Sequence, residues 1–187
     1  MITSIRSARV VGAQGIPTVV EVNVTPGLPG FDVVGRLGVW CRERRDRVRA
    51  AVLNSGHRWP NRRIAVNIAP AGGGAVPASC DLAIAVGVLA SDGQIKADLT
   101  GMAFIGELGL DGSVRSVPGV YPMADSLILD DMSEVVVPAA NDAEVRALRH
   151  HIARPVESLR ELVRCLSGAG RFRSPHHAHP LEPRQSA

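Results

Sequence analysis

Alternation of apolar and polar residues near the N-terminus predicts a β-hairpin. Every second residue from Val20 to Val24 is valine and the residues between them are polar, which is typical of a strand with one buried face. Residues 4–11 form a similar β-rich run, and a glycine-containing segment at 12–15 separates it from the run at 17–24. We therefore expect two antiparallel strands here, followed by a short third strand at residues 31–34.

The middle of the chain reads as a strand, a glycine loop and a buried helix. The strand covers residues 63–69, and Gly72-Gly73-Gly74 then allows a turn that side chains would block. Pro77 and Ser79 mark the start of a helix, with Ser79 as its expected N-cap and Asp81 in its first turn. Apolar residues then recur at helical spacing, which predicts one buried face: Leu82, Ala85, Val86 and Leu89.

The second half of the chain alternates strands and helices before its composition changes. Asp111-Gly112 is a turn signal that predicts a second hairpin, and Asn141 is a candidate helix cap. The elements expected after residue 100 are strands at 102–108, 113–117, 134–138 and 152–156, and helices at 119–129, 142–150 and 156–166. Residues 169–187 have no apolar period, so we expect a disordered tail there. Three close histidines in that segment are interpreted as part of the tail rather than as a metal site.

A predicted helix at residues 36–55 is crowded with arginines on the side away from its core positions, Val48, Ala51 and Val52. One interpretation is a solvated face with local ion pairs. The alternative is a row that contacts nucleic-acid phosphates. The candidate DNA-binding residues, including one from the following loop, are Arg42, Arg44, Arg45, Arg47, Arg49 and Arg58.

Composition excludes several function classes. The chain has 187 residues, 45% of them hydrophobic, which is enough for one core, and no run approaches the roughly 18 apolar residues of a membrane span. Three scattered cysteines suggest no disulfide framework and no metal site, so a cytoplasmic location is expected. Lys96 is the only lysine and no Gly-Lys-Ser/Thr triplet exists, so no Walker A loop is present. We expect no cofactor.

Several motifs, in order, resemble one family. They are Gly27-Leu28-Pro29-Gly30-Phe31, Val33-Val34-Gly35, residues 45–56, Ile68-Ala69-Pro70, residues 81–85, Gly106 to Gly112, Val117-Pro118-Gly119-Val120 and Val137 to Asn141. They are similar to the N-terminal domain of the magnesium-chelatase-like AAA+ ATPases, the YifB/ComM group. The resemblance covers residues 1–168. It implies an α+β, Lon-protease-like or ribosomal-protein-like domain with a mixed sheet and packed helices.

The resemblance also implies partners, and some segments of this chain differ from the family pattern. In that family the domain precedes an AAA+ ATPase module, and some members are competence-associated DNA branch-migration helicases. We expect a chain without the ATPase module, and residues 36–41 and 72–76 depart from the family pattern. A truncated copy and a short paralogue are both open. A non-catalytic domain that binds DNA or partners is the expected function, and a ring-assembly module that joins a full-length relative or its own copies is the alternative.

The fold resemblance raises an enzymatic alternative, a Lon-type peptidase that uses Ser79. A serine hydroxyl is a poor nucleophile until a base removes its proton. The dyad lysine of Lon-type proteases would follow the Val-Pro-Gly turn, where this chain has Tyr121, a weak base at neutral pH. We therefore expect no peptidase activity. Metal insertion into a porphyrin, which the family name suggests, finds no nucleotide loop and no ligand cluster in the sequence.

Overall fold

A long antiparallel hairpin forms the centre of the sheet. In the computed structural model, which describes residues 2–34, 39–70, 77–145 and 152–173, β1 (Ile2–Val11) pairs along its whole length with β2 (Gln14–Thr25). Val20, Val22 and Val24 are buried while the residues between them are not, so the alternation in the sequence identified the core face. The predicted hairpin is confirmed.

Five further strands extend this hairpin into a seven-stranded mixed sheet. Their bounds are β3 (Gly30–Val33), β4 (Arg63–Ala69), β5 (Met102–Phe104), β8 (Glu134–Pro138) and β9 (Ala153–Val156), and the spatial order is β3-β4-β2-β1-β5-β8-β9. The short strands β6 (Glu107–Leu108) and β7 (Val114–Arg115) form a separate hairpin. Because β1–β2 and β2–β4 are antiparallel and the other pairs are parallel, the sheet is mixed, which confirms the predicted α+β class.

Helices cover both faces of the sheet. The helices are α1 (Val39–Asn54), α2 (Asp81–Ser91), α3 (Val120–Leu129), α4 (Asp142–Val145) and α5 (Leu159–Leu166). One core cluster joins α1, α2 and α5 to residues such as Val22 and Val136, whereas the other joins α3 to Ala8 and to Val135 and Val137. Successive strand residues enter different clusters because side chains alternate across a strand.

The middle helix α2 is buried on every side, not on one face as predicted. All residues from Asp81 to Leu89 are buried, because α2 lies on β1 and β2 and α1 covers its outer side. Gly87 permits the close approach to the sheet: a Cβ atom built there would lie 2.6 Å from Cγ2 of Val22. The apolar composition of the segment, rather than its period, indicated this location.

Two predicted boundaries were wrong. The run at 102–108 is split, because β5 ends at Phe104 and β6 begins at Glu107 in the separate hairpin. The last helix begins at Leu159 rather than 156, because Ser158 caps it by accepting a hydrogen bond from the Glu161 N–H at 3.2 Å. Asn141 bonds to both backbone groups of Val117 and to Glu144, so it ties two segments together.

Several predicted features fall outside the described residues. These are the glycine loop at 72–74, the helix positions 36–38 and 146–150, and the histidine-containing segment from 174 onward. Earlier in the predicted tail, Arg173 forms ion pairs with Glu157 at 2.6 Å and Glu161 at 3.2 Å. Among the helices in the described part of the chain, none combines the length and apolar character needed to span a membrane.

Candidate functional site

The arginines of α1 form two rows that face different surroundings. Arg44 and Arg47 are three residues apart and lie on the side of the helix that carries the buried residues Val48 and Ala51. A second row, also at spacings of three and four, lies on the outer side and is at least partly exposed: Arg42, Arg45 and Arg49. We call these the inner row and the outer row. The predicted DNA-binding set therefore divides by helical period.

The inner row binds a fully buried carboxylate at the start of α2. Arg44 Nη1 lies 2.6 Å from Asp81 Oδ1 and also donates to the carbonyl oxygen of Pro77 at 2.6 Å. Arg47 Nη1 lies 3.4 Å from Asp81 Oδ2 and 3.2 Å from Glu107 Oε1. The N–H of Leu108 donates to Asp81 Oδ2 at 3.4 Å. Asp81 thus connects α1, α2 and β6, and we call this group the Asp81 cluster.

Burial dominates the protonation of this cluster. It raises the pKa of Asp81 to about 6, although the Arg44 and Arg47 guanidiniums and the Leu108 N–H lower that pKa. Glu107 adds a smaller effect in the raising direction. Arg44 and Arg47 are therefore engaged in holding the fold together. The predicted position of Asp81 in the first helical turn is confirmed. Its partners Arg44 and Arg47 were not predicted, because they contact it only through tertiary packing.

The outer row contributes to a groove beside the edge strand β3. Arg45 and Arg49 from α1 and Arg62 from the loop before β4 line a cavity of about 370 Å³ together with Phe31 and Trp59. The remaining lining residues are Pro29, Gly30, Leu53, Pro60 and Asn61. Phe31 and Trp59 contact each other, with ring centroids 6.0 Å apart, and both pack against the core. We call this cavity the arginine–tryptophan groove.

The ion pairs around this groove are exposed and local. Arg45 pairs with its neighbour Asp46 at 2.8 Å, and Arg63 pairs with Asp32 at 3.2 Å. Exposed pairs of this kind contribute about 0–1 kcal/mol, so they compete weakly with a bound anion. Among the described residues, the guanidiniums of Arg42, Arg49, Arg58 and Arg62 have no carboxylate within ion-pair distance.

The loop that carries Arg58 and Trp59 is held in place by its backbone. Gln94 accepts a hydrogen bond from the Arg58 N–H at 3.0 Å and donates to the Arg58 carbonyl at 2.8 Å. The N–H of His57 donates to the carbonyl oxygen of Val52 in α1. Arg58 is exposed, as a phosphate contact requires, while Pro60 next to Trp59 is buried. Arg58 was a predicted candidate, whereas the groove residues Phe31, Trp59 and Arg62 were not predicted as a site.

Ser79 lies in a second groove and is not a helix cap. It belongs to the short 3₁₀ turn Ala78–Cys80, and its hydroxyl donates to the carbonyl oxygen of Ala8 at 2.9 Å. The N-cap of α2 is Cys80, which makes no side-chain cap bond, so the predicted capping role was wrong.

The Ser79 groove, of about 630 Å³, extends to the Val117-Pro118-Gly119 turn. Its described lining contains no lysine or histidine that could serve as a base for the hydroxyl, and its only carboxylate, Glu107, pairs with Arg47. Tyr121 is 41% exposed and its N–H donates to Glu144.

Metal-ligand chemistry finds no support in the described residues. They contain no group of three or more His, Cys, Asp or Glu side chains that could hold a metal ion. Cys80 is buried, and that burial raises the pKa of its thiol, which makes it less reactive. Cys165 is half-buried, and its pKa is also raised, mainly by burial.

The geometry of the two grooves does not identify a protein family, but comparison with known families does. The profile of the family described as subunit ChlI of Mg-chelatase matches residues 20–141, which include α1, α2 and the arginine–tryptophan groove. The chain belongs to this magnesium-chelatase-like family, in its YifB/ComM branch.

Individual relatives agree with this assignment. The uncharacterized protein YifB of Salmonella typhimurium is 38% identical over 135 residues, 72% of this chain and 26% of the relative. An uncharacterized protein of Mycobacterium tuberculosis is 37% identical over 164 residues, 87% and 33% of the two chains. The competence protein ComM of Haemophilus influenzae is 34% identical over 158 residues, which are 84% of this chain and 31% of ComM. The chain therefore spans about a quarter to a third of the length of these curated relatives.

Proposed function

We propose that this chain is a non-catalytic, DNA-contacting domain of a competence-type, magnesium-chelatase-like ATPase that works in the cytoplasm. The observation that carries the proposal is the outer arginine row with the arginines of the neighbouring loop, exposed and largely without carboxylate partners. The name of a relative, the competence protein ComM, supports the competence-type assignment in this proposal.

Guanidinium groups suit phosphate contacts because they stay charged and present several N–H donors in a planar fork. Arg42, Arg45 and Arg49 follow one side of α1, so they can contact successive phosphates along a strand. Contacts of this kind release counterions and carry no sequence information, so binding should weaken steeply as salt is added. This proposal does not include Arg44 and Arg47 among the DNA-binding residues, because both form ion pairs with Asp81.

The proposed protein partner corresponds to the part of the relatives that this chain does not match. The curated relatives are three to four times longer than the matched segment, so an AAA+ module or a full-length relative is the proposed protein partner, with ring assembly as the arrangement. Size-exclusion chromatography with light scattering tests this, alone and mixed with such a relative. A monomer under both conditions would argue against assembly.

The DNA proposal is tested by fluorescence anisotropy with single-stranded and branched oligonucleotides at a series of salt concentrations. We expect micromolar affinity at low salt. Replacing Arg42, Arg45 and Arg49 together by Gln should reduce the slope of log K against log salt by about 2–3, at about 0.7–0.9 per lost phosphate contact.

Arg115→Gln is the matched control, since it removes one exposed arginine from β7, outside the outer row. Its slope should stay close to that of the wild type. Absence of binding at low salt, or equal slopes in the triple variant and the wild type, would overturn the proposal.

A further inference from the structure

We propose that the arginine–tryptophan groove holds one unpaired nucleotide of a single DNA strand, with its base against Trp59 and its phosphate on Arg49 and Arg62. This inference rests on the proposed function and deepens it, because it assigns single strands, rather than duplex, as the preferred ligand. It starts from a combination of side chains that arginine contacts alone would not need: guanidiniums and an indole ring open to the same cavity.

The groove has the size and the polarity of a nucleotide site. Its volume of about 370 Å³ falls in the lower part of the ~300–1,000 Å³ range of small-ligand pockets, which suits one nucleotide rather than a folded segment. Arg49 and Arg62 come from different elements, one from α1 and one from the loop before β4. Neither guanidinium has a carboxylate partner among the residues described, so both are available to a phosphate.

Trp59 gives the site its preference for an unpaired base. Every base has a flat π-face, so stacking on an indole ring tolerates any sequence. The ring is positioned in advance, because Phe31 contacts it, the core supports it and the loop backbone is bonded to Gln94. In a duplex each base face is covered by its neighbours, so only an unpaired base can reach Trp59.

The groove is open at its edge as well as charged. It lies beside Gly30 in β3, one of the two edge strands of the sheet, and a Cβ atom at Gly30 would meet only the Leu28 carbonyl oxygen, at 3.9 Å. Arg45, the third arginine of the groove, pairs with Asp46, which is itself 60% exposed. An approaching strand can therefore displace that carboxylate or add to the contact.

A comparison of ligands tests the inference without relying on the folding of a variant. The wild-type chain is titrated into a labelled 15-residue oligothymidylate, into the same oligonucleotide with abasic sites in place of thymidines, and into a 15-base-pair duplex, all at one low salt concentration. Stacking of one base on Trp59 should make the oligothymidylate bind about tenfold more tightly than the abasic strand. Equal affinity for these two strands would overturn the inference.

The two proposals fail in distinguishable ways. If all three ligands bind equally with a steep salt dependence, the result supports the arginine–phosphate contacts and overturns the nucleotide site. If none binds at low salt, both fall. Deoxyadenosine monophosphate is the competitor for a free-nucleotide site, and displacement of the strand by micromolar monophosphate would overturn the assignment to a strand.

Variants then locate the effect. Trp59→Leu should remove the difference between the thymidylate and abasic strands, Trp59→Phe should retain part of it, and Arg115→Gln should retain all of it. A full difference in a folded Trp59→Leu variant, with folding checked by circular dichroism, would place the base elsewhere and overturn the assignment to this groove.

Discussion

The inner and outer arginine rows of α1 differ in environment although they share one helix and one residue type. Arg44 is 13% exposed and its partner Asp81 is 0% exposed, whereas Arg45 is 38% exposed and its partner Asp46 is 60% exposed. Removing one partner of a buried pair leaves a charge without compensation, while an exposed pair exchanges readily with water. The same side chain therefore stabilises the fold in one row and is available for a ligand in the other.

This difference shows why an arginine count is a poor measure of DNA binding. The helix carries five arginines in the predicted set, and two of them are occupied by the Asp81 cluster. What separates them is only their position on the helical period relative to Val48 and Ala51, which face the core. Of the remaining three, Arg45 and Arg49 line a groove with Arg62 of the following loop. That loop also carries the exposed Arg58. Three experiments sharpen the contrast.

The largest effect is expected for Arg44→Gln. At pH 7.5 this variant should lower the free energy of unfolding by about 3–5 kcal/mol, because it leaves the buried Asp81 carboxylate with a weaker partner. Urea denaturation followed by circular dichroism measures it. Arg45→Gln removes the same group from the outer row and serves as the control. Similar losses in both variants would contradict the distinction between the rows.

The second experiment uses pH. The pKa of Asp81 is raised from 3.8 to about 6, so the folded state holds this proton more tightly than the unfolded state. Protonation of Asp81 therefore stabilises the folded state. This contribution to the free energy of unfolding is fully present below pH 4 and is lost as pH rises through about 6, a change of about 3 kcal/mol.

The measurement is the free energy of unfolding of wild type and Asp81→Asn between pH 4 and 7. The difference between the two curves isolates the titration of Asp81, whatever the absolute stability of the variant. Wild type should lose stability relative to Asp81→Asn as pH rises. Parallel curves would show that the carboxyl group has an ordinary pKa.

The smallest effect is expected for the stability of Arg49→Gln. This guanidinium is exposed and has no carboxylate partner among the described residues, so its removal should change the free energy of unfolding by less than about 0.5 kcal/mol. The same variant should bind single-stranded DNA several-fold more weakly at low salt. A clear loss of stability without a loss of binding would reverse the roles assigned to the two rows.

Local patterns were sufficient for most of the fold. Alternating valines located β2, the strand before the glycine loop was placed at Arg63–Ala69 as observed, and the family assignment followed from ordered motifs. The sequence was less informative where an element depends on its neighbours. The split of the run at 102–108 arises because β5 joins the main sheet while β6 pairs with β7, and no local pattern records that change of partner.

The candidate site divides in the same way. The sequence by itself determined that α1 is rich in arginine and that Asp81 begins the core helix. Only the tertiary structure decided which arginines form ion pairs with Asp81 and which line a groove with Trp59. The physical reason is that helical period and propensity act over a few residues, whereas burial and charge pairing depend on residues brought together from distant parts of the chain.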